Sequence, residues 1–188
     1  MEFSVPSYLD NLKRVIDSLD VVSIEKAVCL VRDAWHDKRQ VIVCGNGGSA
    51  LTASHYITDW NKMAYMATKR PFRGVCLGDN MGLVTAYAND VSYDDIYAEQ
   101  LKNQMDEGDL VIVVSGSGNS PNVVRAVEYA NAHGGITLAI CGYDGGKIKQ
   151  LAQHSLWVQS MDMQVCEDLH FVFGHMVMKT LCGGEIRA

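Results

Sequence analysis

Five short apolar runs, each too brief for a helix, punctuate this chain, and the intervals between them are filled by longer helix-like segments. The runs are Gln40–Cys44 (QVIVC), Gly74–Leu77 (GVCL), Leu110–Val114 (LVIVV), Ile136–Cys141 (ITLAIC) and Ser155–Val158 (SLWV). They are β-branched and nearly continuous rather than alternating. Strands covered on both faces have that pattern, and it predicts a parallel sheet. The intervening segments read as helices over Val22–Lys38, Ser49–Ala67, Asn80–Ala88, Tyr93–Gln104, Pro121–Ala132 and Val165–Leu181, with an extra one over Val5–Leu19. Ile24, Ala27, Leu30, Val31 and Ala34 make a 3.6-residue stripe on the second helix of the chain. Ser120 stands at an N-cap position with Pro121 at the first helical residue, and His133-Gly134-Gly135 and Gly183-Gly184 supply stops. Strand–helix alternation of this kind specifies a doubly wound α/β sandwich. The chain reads as one domain, 1–188, with N-terminal helices over 1–38 and the doubly wound core over 39–182. Two helices before the first strand are more than one sheet face needs, so one of them is expected to pack against another subunit.

A length of 188 residues gives one domain with a real core. Sixteen Lys+Arg against 22 Asp+Glu leave a net charge of −6, with no basic stretch to neutralise phosphates, which excludes a nucleic-acid module. No apolar run reaches the roughly 18 residues of a membrane span, and Met1–Asp10 has no apolar h-region, so no membrane contact or secretory signal is expected. The six cysteines (Cys29, Cys44, Cys76, Cys141, Cys166, Cys182) form no C-x-x-C pair, and four lie in apolar runs. Buried free thiols in a reducing cytoplasm are the expectation.

In open parallel sheets ligands bind beyond the carboxyl ends of the strands. Three strand ends here carry polar, glycine-rich loops: Gly45-Asn46-Gly47-Gly48-Ser49, Ser115-Gly116-Ser117-Gly118-Asn119-Ser120 and Gly142-Tyr143-Asp144-Gly145-Gly146. The second offers three serine hydroxyls, glycines that admit close backbone approach, and the start of a helix behind them. That is a phosphate cradle without a charged residue. No G-K-[ST] follows it, and the first loop lacks the third glycine of a dinucleotide fingerprint, so neither a Walker loop nor a dinucleotide site is read.

Among titratable groups, His55 and Asp59 are spaced i, i+4 and share a helix face. Glu167, Asp168, His170 and His175 share the last helix; at 100° per residue His175 lies close to the face of Asp168, about 80° from Glu167, with His170 turned away. Two chemistries remain open on spacing alone: general acid/base work, or a metal site from His55, Asp59, an acid at 167 or 168, and His175.

Taken in order, the loop at 45–49, His55, Asn89-Asp90, the serine loop at 115–120, the loop at 142–146, and His170 and His175 resemble the SIS (sugar isomerase) domain family, with the spacing of its phosphoheptose isomerase branch. The resemblance implies a five-stranded parallel sheet between helical layers. It also implies a homotetramer with shared active sites, and isomerisation of sedoheptulose 7-phosphate to D-glycero-D-manno-heptose 7-phosphate through an enediol, serving surface heptose synthesis. By the same resemblance Ser49, Ser115, Ser117 and Ser120, with Asn46, Gly47, Gly48 and Gly116 beside them, would hold the sugar phosphate. Asn89, Asp90 and Glu167 would line the sugar. Asp59 and His175 would be catalytic, and His55, Asp59, Glu167 and His175 would ligate zinc where zinc is present.

This chain departs from the family pattern where Asp59 replaces Glu, Glu167 replaces Gln, Gly116 replaces Thr, Met63 replaces Arg and Gln164 replaces Asp. An isomerase for another phosphosugar, or a non-catalytic phosphosugar-binding protein of the replication-initiator-associating type, are the alternatives. Retention of His55, Asp59, Glu167 and His175 favours the enzyme. The tryptophans, Tyr93, Tyr97 and Met161, Met163, Met176 and Met178 are expected to pack, and Lys62, Lys69 and Arg70 to sit in a solvated turn.

Overall fold

The computed structural model describes residues 4–183. Helices α1 (Val5–Asp17) and α2 (Val21–His36) precede β1 (Val41–Gly45), which feeds α3 (Gly48–Thr68). Then follow β2 (Gly74–Cys76), α4 (Met81–Asp90), a 3-10 turn (Tyr93–Asp95) running into α5 (Ile96–Gln104), β3 (Leu110–Ser115) and α6 (Pro121–Ala132). The chain closes with β4 (Ile136–Cys141), α7 (Gly146–Leu151), β5 (His154–Trp157) and α8 (Met163–Leu181). All five strands pair in parallel in the order β2-β1-β3-β4-β5, so the strand order reverses between β1 and β3.

The three central strands explain why their sequences are apolar throughout. Val41, Val43, Leu110, Ile112, Val114, Leu138 and Ile140 point to one face, buried against residues of α2, α3 and α8. Ile42, Cys44, Val111, Val113, Ala139 and Cys141 point to the other, against α5, α6 and α7. Burying each such side chain is worth about 1.5–3 kcal/mol, so a polar residue on either phase of these strands would be costly.

Two features differ from the sequence expectation. The segment read as one helix from Tyr93 is a 3-10 turn capped by Ser92, followed by α5. The short helix α7 was not expected at all; it buries only Ile148, too little to leave a periodic stripe in the sequence. Of the predicted stops, Gly183 takes φ 97, and Gly184 lies outside the described residues. The first helix packs on the last. Tyr8 donates its hydroxyl to Asp168 at 2.6 Å, and Asn11 reaches Asp162, the N-cap of α8, at 3.3 Å. The carboxylate of Asp168 raises the Tyr8 phenol to about 12, by accepting its hydrogen bond and by its charge. Val5, Leu9 and Ile16 stay exposed on α1.

All six cysteines are unpaired; Cys44, Cys76, Cys141 and Cys166 are buried, whereas Cys29, in an apolar run, is only half-buried. Burial pushes the thiols of Cys76 and Cys141 up to about 12, so they are inert. No described helix is long and apolar enough to cross a membrane.

Candidate active site

The three glycine-rich loops stand at the carboxyl ends of β1, β3 and β4 and are fixed to one another. Gly45 passes so close to β3 that a Cβ would sit 2.7 Å from the Val114 carbonyl and 2.8 Å from that of Ser49. Gly118, at φ +66, and Gly146, at φ +56, press backbone against backbone, leaving no room for a side chain at either. Hydrogen bonds complete the joint: Gly142 N–H to the Gly116 carbonyl at 3.0 Å, Ile148 N–H to that of Gly118 at 3.1 Å, and Lys147 N–H to Asn119 Oδ1 at 3.1 Å.

Within the serine loop, Ser115 Oγ accepts the Gly118 N–H at 3.1 Å and Ser117 Oγ lies 3.4 Å from the Asn119 N–H. Ser120 occupies the N-cap of α6, but its hydroxyl makes no capping bond, and Gly47 at the N-cap of α3 has no side chain to offer. Neither N-cap residue caps its helix beside the strand-order reversal, where aligned peptide dipoles favour an anion, although in α6 the Val123 N–H is already taken by Asn122 Oδ1 at 2.9 Å. Ser49 and Ser115 are buried in the walls.

A second cluster forms where α3 meets α8. His55 Nε2 lies 3.3 Å from His175 Nε2 and 3.3 Å from Asp59 Oδ2, and His175 Nε2 lies 4.0 Å from the same oxygen. Ligand atoms of these three residues all fall within 4.8 Å of one another, and all three side chains are half-buried. Phe171 packs its ring against both imidazoles, with centroids 4.4 Å from His55 and 5.1 Å from His175. The helices approach this closely because Gly174 faces Tyr56; a Cβ there would overlap the phenol ring. The Tyr56 hydroxyl donates to the His170 carbonyl, and Trp60 Nε1 donates to that of Gly174 at 2.9 Å.

Of the four ligands expected for a metal, three converge. Glu167 does not join them; its Oε1 would lie 2.8 Å from a Cβ on Gly48, which places the carboxylate over the first turn of α3. Asn89 and Asp90 end α4, where Asn89 donates to Asp90 at 2.8 Å. His170 is wholly buried and neither ring nitrogen has a hydrogen-bond partner. Burial lowers its pKa from 6.5 to about 4. Sequence reasoning did not single out Asn122 or Phe171. Tyr93, expected to pack, is instead 55% exposed and donates to Asn46 Oδ1 at 3.2 Å. Met161 and Met176 are exposed, whereas Met163 lies against Gly116, where a Cβ would stand 2.5 Å from its sulfur. The Arg70 guanidinium sits over Trp35 and donates to the His36 carbonyl at 2.6 Å, at the end of the sheet opposite the loops.

An open parallel sheet with glycine-rich helix starts at the strand-order reversal, and a His–Asp–His cluster between α3 and α8, define a small-molecule site of the doubly wound α/β class. The chain belongs to the SIS domain family, whose model matches residues 7–142. It is 36% identical over 155 residues, 82% of this chain and 80% of the relative, to a phosphoheptose isomerase of Citrifermentans bemidjiense. It is also 30% identical over 175 residues, 93% of this chain and 92% of the relative, to one from Aliarcobacter butzleri. Its fold matches the phosphoheptose isomerase structure from Neisseria gonorrhoeae with a TM-score of 0.86 at 25% identity, covering 94% of this chain and 96% of that one.

Proposed function

We propose that the chain interconverts the ketose and aldose forms of a phosphosugar, taking sedoheptulose 7-phosphate to D-glycero-D-manno-heptose 7-phosphate. The observation that carries this is the convergence of His55, Asp59 and His175 from α3 and α8, with α3 rising directly from the glycine-rich loop at the end of β1. The relatives named phosphoheptose isomerase, aligned over most of both chains, supply the sugar.

In this reading the phosphate sits among Asn46, Ser49, Ser115, Ser117 and Ser120, with the backbone of Gly47, Gly48 and Gly116 close by. Its binding energy serves to place the far end of the sugar. Asp59 removes the proton from carbon 1 of the ketose, and the C–H electron pair becomes the C=C bond of an enediol. His175 hands a proton to the carbonyl oxygen and withdraws one from the neighbouring hydroxyl. Return of the carbon-bound proton to carbon 2 completes the aldose. Well-placed acid and base groups are worth about 10²–10⁴-fold each. Asn89, Asp90 and Glu167 line the sugar. Glu167 puts a carboxylate over Gly48, where the family pattern has a neutral amide, so the phosphate is held on the serine-loop side of this site and away from that charge.

Two nitrogens and a carboxylate oxygen within one small, half-buried cluster suit zinc, which takes three protein ligands in catalytic sites. His55, Asp59 and His175 would hold it, with His175 then a ligand rather than a proton carrier, and zinc there would polarise the sugar carbonyl. Exposed Tyr65, Met66, Val172 and Met176 on α3 and α8, and the apolar face of α1, support a homotetramer with sites shared between copies. Unpaired cysteines support a reducing cytoplasm.

The test is turnover of sedoheptulose 7-phosphate followed by NMR, comparing wild type with Asp59→Asn and His175→Gln. Loss of about 10²-fold or more in each is expected. Full turnover by both variants, or binding of the sugar without any turnover by wild type, would defeat the proposal.

A further inference from the structure

Asn122 lies in the first turn of α6, one residue past Pro121, and is 1% exposed. Its side chain pairs with that of Asn46, at the end of β1. Asn46 Nδ2 lies 2.8 Å from Asn122 Oδ1, and Asn122 Nδ2 lies 2.9 Å from Asn46 Oδ1. The two amides thus bridge the β1–α3 loop and the β3–α6 loop across the strand-order reversal.

The direction of this pair is set by the backbone. The Val123 N–H points at one terminal atom of Asn122 at 2.9 Å. An N–H only donates, so that atom is the oxygen and the other is the NH2. The NH2 faces Asn46, so the atom it meets is the Asn46 oxygen, and the remaining Asn46 atom is nitrogen. The Tyr93 hydroxyl donates to that same oxygen at 3.2 Å. Tyr97 stands 3.4 Å from it while donating to the Gly45 carbonyl. Both lone pairs of Asn46 Oδ1 are then occupied, and one of its two Nδ2 hydrogens is spent on Asn122. What Asn46 retains for a ligand is a single N–H. A phosphate dianion and its ester oxygens accept hydrogen bonds, so an amide turned the other way would repel them.

We propose that Asn122 is a positioning residue that locks Asn46 as a hydrogen-bond donor toward the phosphosugar. The inference deepens the reading above and rests on Asn46 meeting that ligand. Asn122→Asp is the sharpest probe. Its Oδ1 still accepts from Val123 and Asn46, but the NH2 donor becomes an oxygen that opposes Asn46 Oδ1. The expected result is a KM for sedoheptulose 7-phosphate raised about 10- to 100-fold, the scale of one charge-assisted hydrogen bond, with kcat changed much less. The ratio of variant to wild-type KM should fall as pH is lowered and the new carboxyl regains a proton to donate; a purely structural role would not produce that recovery. A folded Asn122→Asp or Asn122→Ala variant with wild-type KM overturns the proposal. A measurement on wild type stands apart from both folding of the variants and turnover: the Asn46 Nδ2–H resonance should move when sedoheptulose 7-phosphate is added, whether or not the sugar is isomerised. An unmoved resonance at saturating sugar phosphate also overturns the proposal, whereas a shift without turnover leaves it standing and defeats only the assigned reaction.

Discussion

Gly174 and Tyr56 meet face to face: the glycine α-carbon rests on the phenol ring with no space between them for a methyl group. This one contact sets how near α8 comes to α3, and hence how near His175 comes to His55 and Asp59. Gly174→Ala should lower stability by about 1–3 kcal/mol, the range for overpacking a tight core. It should lower kcat more than unfolding alone explains, because the histidine cluster opens. Chemical denaturation alongside turnover of the fully folded fraction separates the two; an alanine variant with unchanged kcat would detach the cluster from this contact.

The interlocked loops make a second prediction. Gly118→Ala must hold a side chain at φ +66, a cost of roughly 1–2 kcal/mol, and must push away the backbone of Gly145 as well. Phosphosugar affinity measured by calorimetry should fall at least tenfold, with the metal-competent cluster on α3 and α8 left intact. Gly183→Ala is the control, since it too has positive φ but no neighbour within 4 Å of its Cβ.

His170 makes stability depend on acid. Its folded pKa, about 4, lies below the ordinary 6.5, so the unfolded chain takes up the proton first. The folded state is unaffected above pH 6.5, loses stability as pH falls through the window from 6.5 to 4, and loses no more from this residue below it. The total is about 3 kcal/mol. Urea unfolding at intervals across that window should show the decline in wild type, and His170→Leu should flatten most of it. An equal slope in both would assign the acid sensitivity elsewhere.

Zinc binding should register as stabilisation. At about 100 times its dissociation constant, the ion should raise the unfolding free energy by about 2.7 kcal/mol. His55→Ala and His175→Ala should each abolish the increment. Substitution of His154, exposed on β5, should not. A chelator-reversible rise in melting temperature reads this out, and persistence of the rise in His55→Ala would place the ion elsewhere.

The strands were legible because burial on both faces leaves no polar phase, as in Leu110–Val114. The loops were legible because glycine and serine crowd the three strand ends. Short helix α7 was not, since one buried isoleucine writes no period. The meeting of His55 with His175 spans 120 residues and is a product of tertiary packing. Spacing along each helix offered the partners and left their union as one of two open chemistries; the family resemblance then joined them. Glu167 illustrates the reverse case. Its helical position suits the cluster, yet its carboxylate sits over Gly48 instead. Asn122 was missed because an asparagine in a first helical turn is commonplace. The signal available was its place beside Val123 and Val124, inward-facing residues that leave a polar neighbour short of water and in need of a partner.

The joint between Gly118 and Gly146 has a consequence for how such a protein can diversify. If these loops hold the phosphate as proposed above, a receptor that is rigid before any ligand arrives loses little conformational entropy on binding and tolerates almost no mutation. Selection for a new sugar would then act on side chains of α3, α4 and α8, which can change without disturbing the anchor that every phosphorylated sugar shares.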